Sequence, residues 1–137
     1  PRRDAEYVGE ADAVLKRELF SHASCLVFPI QWDEPFGMVM IESMACGTPV
    51  VATRRGSVPE VLDDGRTGFI VDDLDDLPRA IGRAGELDPA VSRAHVRDHF
   101  DLPVMAEGYE RVYRRLLRRR AEATLPHVAG VRSPAAA

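Results

Sequence analysis

Apolar residues along this chain fall into two patterns that take turns. Over residues 11–23, Ala13, Val14, Leu15, Leu19 and Phe20 recur at steps of three and four, which predicts a helix with one apolar face. Cys25-Leu26-Val27-Phe28-Pro29 is instead a continuous apolar run, which predicts a strand buried on both faces, as in a parallel sheet. The helical step returns over residues 36–46 through Met38, Val39, Ile41, Met44 and Ala45, and Gly47 is expected to end that helix as a left-handed cap. Pro49-Val50-Val51-Ala52 and Phe69-Ile70-Val71 predict two further buried strands, and Tyr7-Val8-Gly9 the end of another. Residues 31–35 and 54–57 read as loops. Residues 59–62 read as one helical turn opened by Pro59, and residues 63–68 as dense turn chemistry. Beyond Leu74 three helices are expected, over 74–84, 89–99 and 103–119. The last carries Met105, Tyr109, Val112, Tyr113, Leu116 and Leu117 on one face.

Strands alternating with helices predict an α/β fold, a parallel sheet with right-handed crossovers and helices on its faces. Residues 1–120 are expected to form that unit. Residues 121–137 are rich in Ala and Pro without periodicity, and are expected to be a disordered tail. The length of 137 residues suits one domain, and 45% hydrophobic with 29% charged residues is ordinary for a soluble globular protein. A net charge of -4 argues against nucleic acid as a partner. Positive charge is almost all arginine, and Lys16 is the sole lysine, a bias that reads as genomic base composition more than as function. Cys25 and Cys46 sit in apolar runs and read as buried free thiols. No secretory leader opens the sequence and no apolar run reaches the roughly 18 residues of a membrane span, so a cytoplasmic location is the default expectation. The first residue is Pro1 rather than Met.

Chemistry concentrates in Asp33-Glu34-Pro35-Phe36-Gly37-Met38-Val39-Met40-Ile41-Glu42 and the residues that follow to Val51. One carboxylate lies in the loop after a strand, a glycine opens a helix, and a second carboxylate stands about two turns further on. Ligands of open α/β sheets bind at the carboxyl ends of the strands. A helix start offers unpaired N–H groups to a phosphate. Gly37 would let a ligand approach the backbone, and Glu42 could accept hydrogen bonds from vicinal hydroxyls such as those of a ribose. On spacing alone both glutamates have plainer readings, Glu34 as a charge suited to the helix dipole and Glu42 as a solvated helix position.

The whole stretch resembles the donor-binding half of the family-four (group 1) glycosyltransferases. Glu34 and Glu42 match the family's Glu-x7-Glu pattern within E-P-F-G-x4-E-x-M-A-x-G-x-P-V-V. Two downstream segments, R-G-S-V-P-E-V of residues 55–61 and D-G-R-T-G-F-I-V of residues 64–71, match in order. The resemblance runs from about Tyr7 to Leu117. It implies a partial Rossmann-like parallel sheet, the second half of the C-terminal domain of a GT-B fold. It implies glycosyl transfer that retains anomeric configuration, from a UDP- or GDP-sugar donor, with no metal or other cofactor. Carried over by residue, Glu34 is the catalytic-site carboxylate on the donor sugar, and the N–H groups of Phe36, Gly37 and Met38 face the sugar and diphosphate. Glu42 binds the nucleotide ribose. Ser57 stands where relatives carry a second glycine, at little expected cost.

In that family the acceptor, a sugar, lipid or small molecule, binds an N-terminal domain, and an Arg and Lys pair for the diphosphate lies early in the C-terminal domain. Arg2, Arg3, Lys16 and Arg17 are not at those positions, so the polypeptide is expected to be a fragment that cannot transfer sugar alone. A non-catalytic nucleotide-sugar-binding module or decayed remnant is the alternative, and another GT-B enzyme such as an epimerase or phosphorylase a third. Outside the motif, His95 and His99 stand four apart but read as a surface pair, and His22 as a helix-end charge. Arg114, Arg115, Arg118, Arg119 and Arg120 read as a solvated basic face that also admits peripheral contact with anionic lipid at the inner membrane face. Trp32 suits stacking on a sugar or base as well as packing at the loop base.

Overall fold

In the computed structural model, which describes residues 4–124, three short strands form one parallel sheet in the order β1-β2-β3. Helix α1 (Ala13–His22) precedes β1 (Leu26–Phe28). Helix α2 (Met38–Ala45) leads to β2 (Val50–Thr53), and the single turn α3 (Val58–Val61) to β3 (Gly68–Val71). Then come α4 (Leu77–Arg83), flanked by short 3-10 turns, α5 (Pro89–His99) and α6 (Leu102–Thr124). The chain divides into two compact units, one ending at Asp101 and one beginning at Leu102.

Local chemistry sets the element boundaries. The Asp12 carboxylate accepts the Leu15 N–H at 2.8 Å and caps α1, and Asp88 caps α5 through the Ala90 N–H at 2.8 Å, with Pro89 next in line. Gly47 takes φ +88 just past α2, the expected left-handed stop. Pro59 sits in the first turn of α3. Gly68 opens β3 rather than closing the preceding turn. A Cβ at that position would fall on the Val50 carbonyl of the neighbouring strand, so glycine is required for the two strands to pair.

The core lies on both faces of β2. Val50 and Ala52 point to one face, where Met40 and Met44 of α2 meet Val58, Val61 and Leu62. Val51 points to the other, with Phe69, Ala80 and Ala84. Complete burial of each methionine contributes about 1.5–3 kcal/mol.

Five further sequence expectations change. β2 is buried at all four positions, but β1 is an edge strand of the described sheet. Its Leu26 and Phe28 pack on the α2 side, whereas Val27 faces the α4 side and stays 39% exposed, because that layer covers β2 and β3 only. Tyr7-Val8-Gly9 forms no strand: Gly9 takes φ +72, which turns the chain out of an extended path, and Tyr7 is exposed. The apolar face expected for α1 is largely open at Val14 and Leu19, while Lys16 and Phe20 are its less exposed helical positions. The last helix runs on through Thr124, past the expected start of the tail; the rest of that expected tail, residues 125–137, lies outside the described residues. Cys25 and Cys46 are free thiols, half-buried rather than buried, and burial pushes the Cys25 thiol up. No helix among the described residues is long and apolar enough to cross a membrane.

Candidate functional site

Because the strands are parallel, their carboxyl ends share one edge of the sheet, and the loops leaving them meet there. Gln31 after β1, Thr53 and Arg55 at the end of β2, and Asp72 and Asp73 after β3 line a cavity of about 200 Å³ at that edge. Two hydrogen bonds stitch the first two loops together. The Thr53 hydroxyl donates to the Ile30 carbonyl, and the Ser57 N–H donates to the Glu34 carbonyl at 2.9 Å. Gly56 makes the second contact possible. It takes φ +48, and a Cβ there would fall inside the backbone of Glu34.

Glu34 is half-buried in this stitched loop, with both carboxylate oxygens engaged. Oε1 accepts the Gly37 N–H at 3.1 Å and Oε2 accepts the Trp32 Nε1–H at 3.1 Å. Gly37, at φ +74, is the last residue before α2 and is buried, while Phe36 and Met38 on either side are exposed. Phe36 packs edge-on against Phe100, with ring centroids 6.0 Å apart. Of the three N–H groups singled out in the sequence, that of Gly37 is held by Glu34, while those of Phe36 and Met38 carry no protein partner among the described residues. Trp32 is 60% exposed, so it is not packed at the loop base; its indole N–H donates to Glu34.

Glu42 stands one turn inside α2, half-buried. Its Oε1 accepts from Lys16 Nζ at 2.6 Å, and the two side chains are 34% and 36% exposed. Sequence reasoning missed this partner. Lys16 lies 26 residues upstream on another helix, and only tertiary packing brings α1 against α2. One signal was visible: among 18 Lys and Arg residues, this is the sole lysine.

Ser57 takes φ -74, a conformation open to any residue, so its backbone does not need the glycine that relatives carry. Its hydroxyl, however, is buried and without a hydrogen-bond partner. The His95 and His99 rings stand 4.8 Å apart, with His95 Nε2 against the Val61 carbonyl. No group of three or more His, Cys, Asp or Glu among the described residues is placed to hold a metal ion. His22 Nδ1 meets the Glu18 carbonyl within its own helix. On α6, Arg111, Arg115, Arg118 and Arg119 line an arginine-walled groove of about 340 Å³, and Arg114 pairs with Glu110 at 2.6 Å.

Comparison with known proteins agrees with this architecture. The sequence profile described as "Glycosyl transferases group 1" matches residues 2–92. D-inositol 3-phosphate glycosyltransferase of Acidothermus cellulolyticus is 36% identical over 141 aligned residues, which cover 89% of this chain and 30% of that protein. Alpha-maltose-1-phosphate synthase of Mycobacterium tuberculosis is 45% identical over 94 residues, covering 68% of this chain and 22% of the relative. Among solved structures, sucrose-phosphate synthase from Thermosynechococcus elongatus superimposes with a TM-score of 0.67 at 33% identity, over 83% of this chain and 30% of that one. The chain thus spans less than a third of the length of these relatives.

Proposed function

Since the chain belongs to the group 1 glycosyltransferases, we propose that it holds the nucleotide-sugar donor of a retaining transfer. The observation that carries this reading is the placement of Glu34 and Glu42. One is in the loop at the carboxyl end of β1 and the other is on the helix that loop feeds. In this reading Glu34 accepts hydroxyls of the donor sugar near the reacting carbon, and Glu42 accepts hydroxyls of the nucleotide ribose. The start of α2 turns the N–H groups of Phe36, Gly37 and Met38 toward the sugar and diphosphate, where the dipole favours negative charge. As the bond from the anomeric carbon to the diphosphate breaks, charge gathers on the departing oxygen. The N–H dipoles of Phe36 and Met38, which no protein group holds among the described residues, then stabilise that charge. Glu34 already holds the Gly37 N–H, so a diphosphate competes with Glu34 for that donor. No metal is required in this scheme.

The acceptor and the rest of the diphosphate site belong to the remaining length of such a protein, and the activity of the whole is part of the proposal. The arginine-walled groove of α6 adds a peripheral contact with anionic lipid. A charged hydrogen bond contributes about 1.5–3 kcal/mol. Glu42→Ala in the full-length enzyme is therefore expected to weaken UDP or GDP binding by about ten- to a hundredfold in calorimetry. Unchanged affinity for both nucleotides would remove Glu42 from the site.

A further inference from the structure

Lys16 is the chain's sole lysine, in a sequence that otherwise uses arginine for every basic position. It is spent on Glu42, the carboxylate read above as the ribose ligand, and the inference here rests on that reading. The Nζ to Oε1 separation is 2.6 Å, and both side chains are about one-third exposed, 36% and 34%, so solvent reaches the pair. Within the described residues, no other side chain or backbone N–H bonds the Glu42 carboxylate. Its Oε2 is therefore open. An ammonium carries three donors, and Lys16 uses one of them on Oε1. The pair thus presents one acceptor oxygen and spare N–H donors side by side.

We infer that Lys16 and Glu42 act as a single acceptor–donor couple for a vicinal diol. Glu42 Oε2 accepts from one ribose hydroxyl, and Lys16 Nζ donates to the oxygen of its neighbour. Lys16 is at once a positioning residue, since it fixes the rotation of the carboxylate, and a specificity residue for the second hydroxyl. The choice of lysine follows from this. An arginine fork would engage both carboxylate oxygens at once and close the acceptor that the diol needs. A plain structural ion pair carries no such requirement, and arginine would serve it equally well.

The test is calorimetry on the full chain with UDP, GDP and the 2′-deoxy and 3′-deoxy forms of UDP. Wild type is expected to prefer UDP over at least one deoxy form by about tenfold, the scale of one charged hydrogen bond. Lys16→Met is expected to lose about tenfold in UDP affinity and to lose that preference. Lys16→Arg is expected to do the same while melting at the wild-type temperature, which separates recognition from folding should Lys16→Met be unstable. If Lys16→Arg binds UDP as wild type does, or keeps the preference between UDP and its deoxy forms, the couple is overturned. Glu42→Ala distinguishes the two levels of failure. Loss in Glu42→Ala with no change in either Lys16 variant sinks only the role of Lys16. Undiminished binding in Glu42→Ala sinks the donor-site reading and this inference with it.

Discussion

Glu34 and Glu42 belong to one motif, yet the molecule holds them by different means. The Glu34 carboxylate is fixed by its own loop, since Trp32 and Gly37, two and three residues away, take its oxygens, and its backbone is clamped by the Gly56-Ser57 turn of the next loop. Glu42 is fixed by one contact across 26 residues, from a different helix, and keeps an oxygen open. The first arrangement is a closed circuit of two adjoining loops, in which each partner limits the others. The second depends on how α1 docks and leaves room for something else. On the proposed reading, rigid geometry at Glu34 suits the place where bonds change, and an open acceptor at Glu42 suits recognition.

Three substitutions can break or sharpen this contrast. The largest effect is expected at Gly56. Gly56→Ala combines a left-handed φ with a methyl group inside the backbone of Glu34, and urea unfolding should show a loss of about 3–4 kcal/mol. A loss below about 1 kcal/mol would mean that the loop yields and Glu34 is not clamped. Gly37→Ala is expected to cost less, about 1–2 kcal/mol, from the left-handed conformation itself. Its Cβ would lie 2.6 Å from the Met40 methyl, the far end of a side chain that can move aside. A cost equal to that of Gly56→Ala would place the rigidity in the helix start instead of the stitched loop. Ser57→Ala runs the other way. Removing a buried hydroxyl that has no partner should raise stability by about 1 kcal/mol. A fall in stability instead would show that this hydroxyl finds a bond within the clamp.

The same contrast explains how much could be read from the sequence. The carboxylate contacts of Glu34, the Gly47 stop, the Pro59 turn and the start of α5 at Pro89 rest on interactions within a few residues, and the residue types announce them. The parallel sheet was legible because its central strand is apolar without alternation. That rule misled at β1, whose run is equally apolar although Val27 faces no covering layer. Burial of an edge strand depends on what packs beside it, and no local pattern records that. Tyr7-Val8 looked like a strand because β-propensity measures fit to a neighbour that is not paired there. The Glu34 and Glu42 positions were marked by the family resemblance, spacing alone leaving plainer readings, but Lys16 was hidden for the same physical reason as Val27: its partner is chosen by tertiary packing.

The stitches from Thr53 to Ile30 and from Ser57 to Glu34 also bear on the thermodynamics of any ligand that enters at this edge. Ordering a loop residue costs roughly 1–2 kcal/mol of conformational entropy. With these loops already joined, that cost falls in the folding equilibrium and not in the binding equilibrium, so the proposed site would be preorganised. Affinity at the Glu34 end should therefore vary little with loop motion. The Ser57 amide, held by Glu34, should exchange with solvent slowly, on the timescale of unfolding of the sheet.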